Sequence, residues 1–283
     1  MPLGPTTTQR RQLQQTSAGR LSLVRFLSVA NRELLPDYLA AAAKAVTAAG
    51  GQRTHAVRVD QGFAGGALTH TLITVDRLRS GAAVLAALDA VERERHAALA
   101  DVYALLVKPL VGPPQIARRL GFLAPLLSRI LGTTRERELT GLAERANPLT
   151  GPVPETVAAM RRHDQATPFF MMNLNRYFDR ARYPDRSTLT GEQAYWRYSS
   201  RILPYLVSVR GYPDLFGEVL GTVIGDERSL LHDTWSDFAL VFYPSRRHFL
   251  RMMTHTPPGA IIHRNAGLQR AILMPCTGSA TRP

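Results

Sequence analysis

Apolar positions along this chain fall into short alternating runs and longer helical patterns that occur twice in one order. Leu21–Val29 (LSLVRFLSV) is rich in β-formers and predicts a strand, followed by an alanine-rich helix over 35–49 that Gly50-Gly51 stops. Arg53–Gln61 and Leu68–Asp76 predict a hairpin turning at Gly62–Gly66, Ser80 is placed to cap a helix to about 101, and Tyr103–Val107 predicts a last strand. The order repeats as a strand at 169–175, a helix at 191–209 interrupted at Pro204, strands at 215–224 and 235–243, a helix from Ser245 to 254 and a strand at 269–274. The closing segments from His96 and His263 (HAALADVYALLVKP and HRNAGLQRAILMPC) align without a gap.

Two β-α-β-β-α-β units make the expected fold α+β: two ferredoxin-like units, at 21–109 and 168–276, forming an intrachain dimeric α/β-barrel. Residues 1–20 are polar and aperiodic and read as a disordered arm, and 277–283 as a tail. The 110–167 stretch is too long for a bare linker and reads as a helical insert. Within it Ile116, Leu120, Leu123, Leu127, Ile130 and Leu131 share a helical face alongside Arg118, Arg119 and Arg129, which fits a helix packed on a sheet or partner chain, or one lying on a membrane surface.

The second unit resembles the dimeric α/β-barrel superfamily of ferredoxin-like domains, most of all its small members of unknown function. GEVLGTVIG (217–225), WSDFALVFYPSRRHFLRMM (235–253) and HRNAGLQRAILM (263–274) carry the resemblance, which covers about 168–276. The first unit matches by element order and by VDRLRSGAAVLAAL alone. The resemblance implies paired sheets, a small-molecule pocket between sheet and helices, and an activity among cofactor-independent oxygenases, isomerases and lyases, haem enzymes, or proteins without activity.

Composition narrows the chemistry. The 283 residues carry a formal charge of +13, yet only Lys44 and Lys108 of the 35 basic residues are lysines. That arginine habit is what a GC-rich coding sequence produces, and the arginines are spread along the chain, so a nucleic-acid partner is not expected. The single Cys276 excludes a disulfide framework, no apolar run is long enough to span a membrane, and no secretory signal is visible, so the expected location is the cytoplasm. No metal-ligand spacing or phosphate loop is present, and no metal is expected.

The remaining clues are polar residues inside apolar strands. Glu218 and Asp237 are candidate proton-transfer carboxylates, and His263 a candidate base at the family's His-Arg position. Asn173 and Arg25 are candidate polar anchors, Trp235 and Tyr243 candidate walls, and His96 the counterpart of His263. No cofactor is expected, with haem on His96 as the exception the resemblance leaves open. The expected function is a cofactor-independent isomerase, cyclase, lyase or oxygenase of secondary metabolism, moving a proton on a hydrophobic small molecule in a barrel pocket, with a homodimer possible. The alternative is a non-catalytic binding or scaffold protein.

Overall fold

The computed structural model describes residues 3–60, 70–110, 112–136, 150–152, 154–184, 188–229 and 231–280. The expected turn at Gly62–Gly66 and part of the insert lie outside them. The first unit comprises β1 (Leu21–Val29), α2 (Leu35–Ala48), β2 (Gln52–Val59), β3 (Leu72–Leu78), α3 (Gly81–Asp89), α4 (Glu92–Ala98) and β4 (Leu99–Pro109), preceded by α1 (Thr7–Gln15). The insert supplies α5 (Pro113–Arg119), a 3-10 turn (Leu120–Leu123), α6 (Ala124–Ile130) and α7 (Pro154–Arg162). The second unit comprises β5 (Phe169–Tyr177), α8 (Gly191–Ser208), β6 (Tyr212–Ile224), β7 (Asp237–Tyr243), α9 (Arg246–His255), α10 (Pro258–Gly267) and β8 (Leu268–Ala280).

The eight strands close into one antiparallel barrel in the order β1-β3-β2-β8-β5-β7-β6-β4. Read as a ring, each unit contributes the ferredoxin-like order 4-1-3-2. The edge strand β2 pairs with β8 of the other unit and β6 pairs with β4, so neither sheet keeps a free edge. Strand alternation sorts the side chains into layers. Val24, Phe26, Tyr103, Phe170, Met172, Phe238 and Leu240 fill the barrel interior. The outward faces carry Leu21, Leu23 and Leu27 under α2 to α4 in the first unit, and Phe169, Met171 and Tyr243 under α8 and α9 in the second. Aromatic and aliphatic side chains from both units occupy the barrel interior, which leaves the space between sheet and helices for the expected pocket.

Several elements depart from the pattern. Within the arm expected at 1–20, α1 is held by a capping box between Thr6 and Gln9 and by buried Leu13. Leu13 sits against the start of α3, where a Cβ on Gly81 would come within 1.8 Å of the Leu13 carbonyl oxygen. The expected helix from Ser80 to about 101 breaks at Val91, where φ is −127°. Buried Arg95 stabilises the break by donating to the Leu88 carbonyl at 2.7 Å. Residues 277–280, expected as a tail, extend β8 across to β2. Pro204 does not end α8; it and Ser200, whose carbonyl its ring nitrogen cannot serve, are both on the exposed face of the helix.

The helix α10, absent from the sequence pattern, crosses α8 at two glycines. A Cβ on Gly267 would lie 2.6 Å from the Gly191 carbonyl oxygen, and one on Gly191 equally close to that of Gly267. This crossing also corrects the gapless alignment. Leu99 and Leu268 both open the last strand of their unit, and Asp101 and Arg270 face equivalent positions in β1 and β5. The true offset is therefore two residues from the gapless one, and His263 is not the counterpart of His96.

Candidate active site

Arg25 and Asn173 occupy the same place in the two units, each the fifth residue of its first strand. Arg25 faces Thr74 in β3 and Ala104 in β4, as Asn173 faces Ala239 in β7 and Leu273 in β8. Both point outward, toward the helical layer. What surrounds them differs.

In the first unit Arg25 fills the space between sheet and helix. Its guanidinium is fully buried, ion-paired to Asp76, and within 3.2 Å of the Thr74 hydroxyl and 3.4 Å of the Tyr38 hydroxyl from α2. Arg53 reaches the other Asp76 oxygen at 2.8 Å and donates to the Leu39 carbonyl. Burial works against the Arg25 charge, but Asp76 outweighs it and holds the guanidinium's pKa above its ordinary value. An ion network of Arg25, Asp76 and Arg53 occupies this cleft.

The second unit has a neutral, short Asn173 at that point, with its amide turned back to the Met171 carbonyl at 2.9 Å. A cavity of about 430 Å³ opens between the sheet and α8. Its floor is Met171, Asn173, Ala239, Val241 and Leu273, and its walls include Ile202 and Leu206 from α8 and Phe249 and Met252 from α9. Ile116 and Trp196, both exposed, mark its mouth.

Polar groups gather at one side of this cavity: Tyr195, Tyr198 and Arg264, the phenol rings 5.4 Å apart. Burial raises the pKa of Tyr195 to about 12 and that of Tyr198 above its ordinary value, while the Arg264 guanidinium works against both shifts. Both phenols therefore keep their protons at neutral pH, with a cation beside them.

Behind Tyr195 lies a buried polar chain. The Asn175 amide donates to the Tyr195 oxygen at 3.2 Å and to Asp237 Oδ1 at 2.7 Å, using both its hydrogens, and the Tyr177 hydroxyl meets Asp237 Oδ2. Burial pushes Asp237 up to about 8, a shift the Asn175 amide opposes. Because the Tyr195 oxygen accepts from Asn175, its own O–H is left to donate elsewhere. Asp237 is not a lining residue; its link to Tyr195 runs through the Asn175 amide.

The other expected site residues are elsewhere. Glu218, expected to be desolvated, is exposed on the outward side of β6, opposite Lys108 at the seam between units. His263 sits half-buried in α10 with Nδ1 2.5 Å from the Tyr183 hydroxyl, outside the cavity lining. Its pKa is lowered by burial and by Arg201 and Arg197. His96 is exposed on α4 in the other unit. Trp235 belongs to the barrel interior, donating to the Leu231 carbonyl at 2.7 Å under Arg270. Tyr243 does stand on the cavity wall, stacked on Phe169, with burial raising its pKa well above the ordinary value. Tyr195 and Arg264 carried no signal in the sequence beyond a tyrosine-rich helix start (AYWRY) and the His-Arg pair.

The lining of this cavity does not fit a histidine-ligated haem. The described lining of the cavity contains no histidine or cysteine, and the thioether of Met252 accepts from the Tyr243 hydroxyl at 3.5 Å. Among the described residues no three His, Cys, Asp or Glu side chains cluster as metal ligands, and no helix is long and apolar enough to cross a membrane. A larger cleft of about 510 Å³ at the seam between units is bordered by Arg20, Arg77 and Arg79. All three are exposed, and the cleft lacks the buried donors of the first site.

No protein-family model and no curated protein matches the chain. Among solved structures, a protein of unknown function from Rhodopseudomonas palustris is 28% identical over 48% of this chain and 98% of its own, with a TM-score of 0.42. A mutant chlorite dismutase from Candidatus Nitrospira defluvii is 9% identical over 95% of each chain, also at 0.42. Likenesses at this level assign no activity.

Proposed function

We propose that this protein is an enzyme acting on a hydrophobic small molecule that carries a carbonyl or related oxygen, bound between the second sheet and α8. The apolar floor and walls take the body of the molecule. Its oxygen meets the Tyr195 hydroxyl, with Tyr198 and the Arg264 charge beside it. A phenol that stays protonated, held in place from behind and set in an apolar cavity, is suited to stabilise negative charge developing on that oxygen. Enolate-forming reactions of the isomerase, lyase, cyclase or cofactor-independent oxygenase type have this requirement in common; the α-proton leaves to solvent water entering at the cavity mouth, and the negative charge left on the oxygen is met by the Tyr195 hydroxyl. The roles expected for Glu218 and His263 pass to Tyr195 as the group touching substrate, with Asp237 and Asn175 positioning it.

The observation that carries this reading is the contrast between equivalent clefts. One is plugged by Arg25, Asp76 and Arg53; the other keeps an open volume with donors gathered at one side. A second reading, binding without chemistry, is favoured by one fact: the described lining holds no carboxylate or imidazole to take a proton.

One experiment separates them. An apolar fluorophore such as N-phenyl-1-naphthylamine should bind the wild-type protein and Tyr195→Phe, and fail to bind Ala239→Trp, which fills the floor. A hydrophobic aryl ketone in deuterated buffer should exchange its α-hydrogens faster with the protein, and Tyr195→Phe should slow that exchange by about 10²-fold. Binding without any enhanced exchange leaves the binding protein alone standing. Fluorophore binding that Ala239→Trp leaves intact removes the cavity from both readings.

A further inference from the structure

The insert faces the wrong way for a helix that only covers the core. Its α5 and α6 bury small residues, Ala117 and Ala124 (each 1% exposed), against the body of the second unit. Phe122, Leu126 and Ile130 instead stand in solvent, at 76%, 58% and 69% exposed. A contiguous apolar surface of this kind on a soluble protein marks an interaction face. The remaining question is what covers it.

Charge decides between occupants. Residues 110–135 contain four arginines and no acid. Arg118, Arg119 and Arg129 are exposed; Arg118 lies over the Tyr212 ring at 5.8 Å with Asp214 in its field, and no ion pair to any of the three is present among the described residues. A second copy docked face to face would set these arginines against their own kind, a repulsive arrangement for a two-fold interface. A surface offering apolar depth beneath a layer of negative charge satisfies both halves of the patch.

We infer that α5 and α6 dock this protein on an anionic lipid bilayer, Phe122, Leu126 and Ile130 entering the acyl boundary and the arginines meeting lipid phosphates. Trp196, 39% exposed on α8, lies with Ile116 at the cavity mouth next to this patch, where an indole suits the interfacial layer. The docking stands on the surface alone and not on the reaction proposed for the cavity. Together the two place the mouth against the membrane, within reach of a substrate dissolved in it.

Co-sedimentation with vesicles tests this. The wild-type protein should pellet with vesicles containing phosphatidylglycerol at low salt and stay in solution with phosphatidylcholine alone. Each arginine at an anionic surface contributes roughly fivefold to partitioning. Arg118→Gln, Arg119→Gln and Arg129→Gln together should therefore weaken binding by on the order of 100-fold. Phe122→Ser with Leu126→Ser should abolish it, with an unchanged circular dichroism spectrum. Brominated lipid should quench wild-type tryptophan fluorescence and not that of Trp196→Phe, whose other tryptophan is inside the barrel. Absence of wild-type binding to anionic vesicles, or equal binding to neutral ones, overturns the inference. So does a wild-type dimer that Phe122→Ser dissociates, which assigns the patch to a second copy.

Discussion

Asp237 carries a pH signature that tests the polar chain at its buried end. Its carboxyl keeps a proton in the folded protein up to about pH 8, because burial penalises the charge. In the unfolded chain it ionises near the ordinary carboxylate value of about 4. Between those values the native state holds a proton that the unfolded state has released, so stability falls as pH rises through that window, by at most about 1.4 kcal/mol per pH unit. Urea unfolding at pH 5 and pH 8 should show this loss in the wild type and a smaller one in Asp237→Asn, which keeps the geometry without a titrating proton. An identical pH slope in both proteins would mean that Asp237 is ionised in the fold. At this scale the sequence was half legible. Polar residues in apolar strands marked both Asp237 and Glu218 as expensive to bury. Alternation says which residues share a strand face, not which face a helix covers, and only Asp237 lies under α8. Arg25, a candidate anchor for a ligand, had a different fate: it is buried and paired with Asp76.

Among the elements, strands were easier to read than helix ends, because period-two patterns of β-branched and aromatic residues survive burial on both sides of the barrel wall. The helices α1 and α10 escaped notice for opposite reasons. In TTQRRQLQQ a single residue, Leu13, is buried, too few to produce an apolar stripe. In PGAIIHRNAG the helix is positioned by its glycine crossing with α8 and not by a periodic face. With so little burial, α1 depends on its capping box. Replacing Thr6 with Ala should cost about 1 kcal/mol. Hydrogen exchange should then show faster exchange in the backbone amides of 7–15 while those of β1 keep their protection. Equal protection of α1 in wild type and variant would show that Leu13 alone holds the helix.

For the whole molecule the duplication was legible, and the division of labour between its copies was not. The sequence repeats one element order, but the barrel uses the copies unequally: the first unit closes its sheet–helix cleft, while the second keeps a cavity. The seams explain why both copies are required. Gly217 lets β6 approach β4, where a Cβ would come within 2.5 Å of the Lys108 carbonyl oxygen. Gly278, at φ +142°, does the same for β8 against Ala56 of β2, at 2.6 Å. The interior is shared, with Phe26 edge-on to Phe238 at 6.4 Å and His55 bonded to Asp214 at 2.7 Å, each contact crossing from one unit to the other. A unit by itself would leave two strand edges unpaired and its inner apolar face in water, conditions that favour aggregation. Cutting the chain between 136 and 150 therefore leaves the barrel intact only if both pieces are present. Co-expressed, residues 3–136 and 150–283 should purify as a one-to-one complex and unfold in a single transition with urea. Expressed separately, each should be insoluble or bind hydrophobic dyes non-specifically. A soluble, cooperatively folded 150–283 fragment would show that the second unit supports its cavity without the first, and the first would then need another reason for being in the barrel.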